Sequence, residues 1–275
     1  QTNHRKESKQ IMRIFIISMD DPVQTNVFIT SIIDARKEDI VGLAIAKGDR
    51  MTIGKKKSKI AYLISLFLIM GTFYFIKNAC ITLQFKVRKK LAKCGILKTH
   101  GLESYALNLK IPVFHIKSAK DKSFLEQLRE LKPDVIINQS QLFLKKELLD
   151  IPLIGTLNRH NALLPKNRGR LTPFWVLFKE EKETGVSIHF VTEVLDAGDI
   201  VIQKKYMVSS KDNFNSLVKK NYEIAPLAML EALDKLEKGE KAYLPNDSNF
   251  ATYNTTPTLK EAWKYRVKRI KKVLS

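Results

Sequence analysis

"GTLNRHNALLPKNRGRLTPFWVLFKEEKETGVSIHFVTEVLDAGDIVIQKKYMV", residues 155–208, opens on a short strand-like run that ends at His160. A Leu163-Leu164-Pro165 break follows, then a basic turn containing Gly169, then two long runs that fold around "LDAGD" as a hairpin would. Side chains two apart on a strand face the same side, with Cα atoms about 6–7 Å apart. Asn158 and His160 therefore present a carboxamide and an imidazole together. The amide NH₂ can donate to an oxygen that gains negative charge, and the imidazole can take or give a proton near neutral pH. Such a histidine needs an anionic partner to orient it, and Asp196 and Asp199 in the hairpin turn are the candidates. The same residues could equally form a structural hydrogen-bond cluster, and spacing alone leaves both readings open.

Outward from this segment the chain alternates. "IMRIFIIS" (11–18) reads as a buried strand, "MDDP" as a helix start, and "DIVGLAIA" (39–46) as a second strand, the opening of an α/β sheet. From residue 101 a helix and strand, a helix over "AKDKSFLEQLRELKPD", a strand at "DVIINQS" and a short helix at "LFLKKELLDIP" lead into the strand before His160. A capped helix closed by Gly239 follows the hairpin. The expected architecture is a Rossmann-like, mostly parallel sheet flanked by helices. One domain is expected over 12–240, with an apolar and basic helical insertion over about 58–98 after strand two, and 241–275 are expected to form a short basic tail.

The insertion carries "IAYLISLFLIMGTFYFI" (60–76), seventeen residues without a charge. As one helix it would be roughly 25 Å long, short of a hydrocarbon thickness of ~30 Å. A true span would also place strands of one sheet on opposite sides of a membrane. A buried core helix, an interfacial helix at a membrane surface and a partner-binding helix remain the alternatives. The formal charge of +20 favours anionic partners without choosing among them. Cys80 and Cys94 suggest neither a disulfide framework nor a zinc site, and a reducing compartment fits. Residues 1–11 resemble no secretory signal, and Met12 reads as a natural start. No Ser or Cys nucleophile motif, Gly-rich phosphate loop or His-Glu metal motif is present, so no metal is expected.

The order and gaps of Asn158-x-His160, Leu163-Leu164-Pro165, Thr184-Gly185-x-Ser187-x-His189 and Leu195-Asp196-x-Gly198 resemble the folate-dependent formyltransferase family over 155–208. Upstream, "KPDVIINQSQLFLKKELLDIP" is similar to that family's strand and pterin-lining turn. The resemblance implies a catalytic triad of Asn158, His160 and Asp196 and a 10-formyltetrahydrofolate co-substrate whose formyl carbon is attacked by an amine. It implies a structural role for Asp199, and a pterin pocket formed by Gln141, Leu142, Phe143 and Leu144 with Val194 and Leu195. Ala162 stands where the family usually has serine, so a loop hydrogen bond is expected to be missing. "SMDDP" replaces a Gly-Ser-Gly phosphate loop, and its two aspartates are expected to repel a ribose phosphate.

Thirty-six residues follow Gly239 where tRNA-formylating members carry a further barrel, which points away from tRNA. The cationic tail and "GKKKSKI" could still contact phosphates. The expected acceptor is a small amine, in particular a nucleotide- or lipid-linked amino sugar of surface polysaccharide. The alternatives are a methionyl-tRNA formyltransferase-like activity, hydrolysis of the same folate, or a non-enzymatic membrane-surface or binding scaffold. A cytoplasmic location is expected, with membrane association through 60–76 and the basic patches as a further expectation.

Overall fold

The "IFIIS" run becomes β1 (Ile14–Ser18), buried at all five positions, as befits the middle of a sheet covered on both faces. In this computed structural model, which describes residues 12–47, 52–53, 56–97 and 100–274, β1 leads through α1 (Thr25–Ala35) to β2 (Ile40–Ala46). The insertion follows as β3 (Thr52–Ile53), β4 (Lys56–Lys57), α2 (Lys59–Met70) and α3 (Thr72–Lys93). Then come α4 (Leu102–Asn108), β5 (Val113–Ile116), α5 (Lys122–Glu130), β6 (Val135–Gln139), α6 (Lys146–Leu149) and β7 (Gly155–His160). The chain ends with β8 (Arg168–Gly169), α7 (Thr172–Phe178), the hairpin β9 (Glu183–Phe190) and β10 (Ile200–Met207), α8 (Phe214–Glu237), β11 (Tyr253–Asn254) and α9 (Leu259–Leu274).

The main sheet runs β10-β9-β7-β6-β1-β2-β5, parallel from β7 to β5 and antiparallel where β9 meets β7 and β10. The expected Rossmann-like architecture is therefore present. Alternation along β1 splits the core into two layers. Ile14 and Ile16 join Phe28, Ile29 and Ile32 of α1 and Ala225 and Met229 of α8, whereas Phe15 and Ile17 join Leu125 and Leu128 of α5 and Leu148 of α6. Strand order reverses between β1 and β6, and a crevice is expected at the carboxyl ends of strands beside such a switch. Asn158 and His160 lie there, at the end of β7.

Three expectations change. The apolar stretch is not one helix, because Gly71 at φ +82° interrupts it between α2 and α3. Nor is it a core helix buried all round: in α2 Ser65 and Ile69 are buried on one side, while Ile60, Leu63, Ile64 and Phe67 are exposed on the other. The sequence could not foresee this, since exposure depends on which distant segments cover a helix, and among the described residues none covers that side. The third concerns "SMDDP": Asp20 is paired with Lys89 of α3 and accepts the Leu102 N–H, and Asp21 accepts from Val23 N and Thr25 Oγ1. Repulsion of an incoming anion is thereby reduced. Residues 1–11 and 54–55, including part of the "GKKKSKI" patch, lie outside the described residues.

Residues 241–275 are built into the body. β11 pairs with β8, Trp175 Nε1 donates to the Thr255 carbonyl, and α9 packs Ala262 and Tyr265 against Ile69 of α2 and Phe174 of α7.

Candidate active site

Strand register brings the first elements together. Asn158 on β7 lies opposite Asn138 on β6 and opposite His189 on β9, so the rim carries a row of polar side chains. Each is placed by a donor or acceptor that leaves it one orientation. Arg159 can only donate, and its Nε gives a 3.0 Å bond to Gln139 Oε1. The Gln139 amide nitrogen must then face the other way, and it donates to Asn158 Oδ1 at 2.8 Å. With its oxygen so occupied, Asn158 turns its NH₂ toward His189 Nε2, 3.2 Å away. His189 Nδ1 donates to the Phe190 carbonyl at 2.8 Å, leaving Nε2 as the acceptor. One hydrogen of the Asn158 amide is thus committed to His189, and the second remains for the cleft.

That chain requires a neutral His189. Complete burial, outweighing the attraction of Asp196 and assisted by repulsion from His160, holds the His189 pKa down at about 4.

His160 is buried beside it. Its Nε2 donates to the Asn167 carbonyl at 2.8 Å, so Nδ1 faces Asp196 Oδ2, 3.5 Å away. Asp196 Oδ1 lies 3.7 Å from His189 Nε2, which sets one carboxylate between two imidazoles. The carboxylate is itself positioned: the Gly169 N–H donates to Oδ2 at 2.8 Å, and Asn246 Nδ2 donates to the Asp196 and Gly198 carbonyls at 2.8 Å each. Gly169 has φ +103°, and a Cβ there would fall 2.1 Å from the Asn254 carbonyl oxygen, so the β8–β11 contact admits only glycine. Beside it Arg168, fully buried, donates to Tyr253 Oη and to Asn246. The basic turn is therefore a brace for Asp196.

The Ala162 departure costs the loop less than expected. Ser187 Oγ donates to the Ala162 carbonyl at 2.7 Å and accepts the Leu164 N–H at 3.1 Å, while Gln203 Nε2 donates to the Leu164 carbonyl. A serine on β9 thus holds the loop from outside.

These groups open on a cleft of about 560 Å³, within the usual range for a small-molecule site. Alternation along β7 divides it. Asn158 and His160 face the α5 and α6 side, where Gln141, Leu142, Phe143 and Leu144 line one half together with Val191, Thr192 and Leu195. Val194, expected with them, is not among the lining residues: the Thr192 hydroxyl donates to its carbonyl and accepts its N–H, and the side chain stands exposed. Arg159 faces the α1 and α8 side, where Gln24, Tyr62, Thr172 and Tyr222 line the other half. The sequence reading missed Gln139, His189, Arg159 and Asn246. His189 had a signal, as the last position of the Thr184-Gly185-x-Ser187-x-His189 pattern, whereas Asn246 had none. Among the described residues no group of three or more His, Cys, Asp or Glu could hold a metal ion.

A family model described as formyl transferase matches residues 82–233, more than half of the chain. The chain belongs to the formyl transferase family. A methionyl-tRNA formyltransferase of Kosmotoga olearia is 40% identical over 144 residues, 52% of this chain and 46% of that protein. The bifunctional polymyxin resistance protein ArnA of Wigglesworthia glossinidia brevipalpis is 34% identical over 154 residues, 56% of this chain and 24% of that one. The chain spans about half the length of the methionyl-tRNA formyltransferases it matches. The fold is shared with an N-formyltransferase from Helicobacter canadensis, solved with folinic acid and dTDP-3-aminofucose, at TM-score 0.56 and 15% identity over 89% of this chain and 71% of that one. It is also shared with glycinamide ribonucleotide transformylase 1 of Symbiobacterium toebii, at TM-score 0.57 and 17% identity over 83% and 89%.

Proposed function

We propose that this chain transfers a formyl group from 10-formyltetrahydrofolate to the primary amine of a small acceptor, an amino sugar linked through phosphate. The observation that carries this reading is the convergence of Asn158, His160 and Asp196 at the divided cleft. The half lined by 141–144 and Leu195 offers apolar side chains and a backbone turn, which suit a flat heteroaromatic ring. When bound there, the folate supplies an activated formyl carbon.

The residues of the chain would then do the following. The uncommitted Asn158 N–H donates to the formyl oxygen as it gains charge, held in place by Gln139 and His189. A bond forms from the amine nitrogen to the formyl carbon, the bond from that carbon to the folate nitrogen breaks, and one proton passes from amine to the released nitrogen. His160, with Asp196 beside Nδ1, is the group suited to carry that proton.

Arg159 supports an anionic acceptor. Its guanidinium is buried, packs 4.1 Å from the Tyr222 ring, and donates only to Gln139, Asn161 and Tyr222, all neutral. A buried cation ordinarily has an anionic partner, and among the described residues none is paired with it. A phosphate in the acceptor half would supply one.

Formylation of methionyl-tRNA is the second reading, favoured by the names of the relatives. The surface bordering the acceptor half carries Leu63, Ile64 and Phe67 exposed near Tyr62, apolar side chains that a tRNA would leave without a partner. The test is incubation of the protein with 10-formyltetrahydrofolate and, separately, amino-sugar nucleotides, methionyl-tRNA and no amine, followed by mass spectrometry. A formylated sugar supports the proposal, and a formylated tRNA replaces it with the second reading. Formate released at the same rate with or without amine would identify a hydrolase.

A further inference from the structure

The helices α2, α3 and α9 form a surface whose composition is inverted. α2 packs on α9 through Ile69, Ala262 and Tyr265, Ser65 Oγ donates to the Pro257 carbonyl, and Phe67 of α2 meets Phe75 of α3 edge-on at 5.5 Å. Yet the outer side is rich in large apolar groups facing water. Ile60, Leu63, Ile64 and Phe67 of α2, Phe73, Tyr74, Ile76 and Leu83 of α3, and Trp263 and Ile270 of α9 are all exposed, Phe73 at 71% and Trp263 at 59%. Ile60, Leu63, Ile64 and Phe67 recur at helical spacing, so α2 presents one apolar stripe to water, and such exposure marks an interaction surface.

The same segments hold most of the excess charge. Residues 59–93 contain seven Lys and Arg and no Asp or Glu, and residues 259–274 contain seven Lys and Arg against one Glu. That is thirteen of the twenty net positive charges of the chain. Lys89 and Lys268 are ion-paired internally, with Asp20 and Glu180.

We infer that this face docks on an anionic lipid bilayer, with the helices lying in the interface plane. A two-fold contact between copies would bring two strongly cationic surfaces together, which opposes self-association there. Nucleic acid would satisfy the lysines but leave the aliphatic side chains without a partner. An anionic leaflet accommodates both, because apolar stems enter the acyl boundary while ammonium and guanidinium heads meet phosphates. Among the described residues no helix is long and apolar enough to cross a membrane. The twelve residues of α2 span about 18 Å, too little for a bilayer core of about 30 Å, which favours lying on the surface. Tyr62 of α2 lines the cleft, so docking brings the acceptor half close to the lipid. The inference does not depend on the proposed reaction.

The experiment is flotation of the full chain with phosphatidylcholine vesicles and with phosphatidylcholine–phosphatidylglycerol vesicles. Bound protein should be at least about tenfold greater on the anionic vesicles and should fall at high salt. The double variant Phe73→Ser, Ile76→Ser should lose at least about tenfold of this binding and keep a cooperative melt, because both side chains are already exposed. Leu153→Ser, which removes an apolar group 82% exposed outside these helices, should bind as wild type does. Equal binding to both vesicle types, or undiminished binding by the double variant, would overturn the inference. So would a dimer in sedimentation equilibrium that the double variant dissociates.

Discussion

The rim of β6, β7 and β9 and the helices α2 and α3 invert the usual placement of side chains in opposite senses. At the rim Arg159, His160 and His189 are buried, each with named hydrogen-bond partners. In α2 and α3 leucine, isoleucine and phenylalanine stand in water. Buried polar groups held by a directed network cost stability and gain a single orientation, and exposed apolar groups cost solubility and gain a surface for association. Each departure therefore marks a place where the chain serves something other than its own fold.

The sharpest way to break this comparison is at the rim. His160→Ala should lower formyl transfer by about 10³-fold with circular dichroism unchanged, and a wild-type rate in a folded variant would remove His160 from the chemistry. Gly169→Ala comes next. Its methyl group meets the Asn254 carbonyl oxygen, so chemical denaturation should show a loss of about 3 kcal/mol or more, with activity falling as the support of Asp196 is disturbed. Gln139→Leu tests whether the donor chain orients Asn158. kcat should fall about tenfold, roughly 1.4 kcal/mol, with the KM for folate little changed, and a Gln139→Glu variant, which cannot donate, should not restore it.

Acid provides a subtler probe. His189 is held at about 4 when folded, against an ordinary value of 6.5. Between those values the unfolded chain binds a proton that the native state does not, so this residue makes stability decline as pH falls through that window. Melting temperatures should therefore drop less steeply over that range in His189→Gln than in wild type. The smallest effect belongs to the other region: Phe73→Ser alone should change unfolding stability by no more than about 0.5 kcal/mol, since its ring makes little of the core. A large loss would mean that α3 is structural after all.

Much of the fold was legible because local patterns carried it. The Ile-rich β1, the alternating β9 and β10 around "LDAGD" and the capped α8 with Asn213 and Ser216 each follow from short-range periodicity and end signals. Asn158 and His160 share a face for the same reason. Gln139 and Asn246 were not legible as site residues, because one comes from a neighbouring strand and the other lies fifty residues beyond Asp196.

By itself the sequence determined the order of strands and helices, the pairing of carboxamide with imidazole at one strand end, and the excess of positive charge. Tertiary structure alone decided that Asp196 stands between two histidines, that Arg159 is buried with no carboxylate paired to it among the described residues, and that one side of α2 stays exposed. Backbone geometry and side-chain alternation act over a few residues and can be read from neighbours. Burial and convergence depend on which distant segments arrive to cover a given face, and no local stretch encodes that.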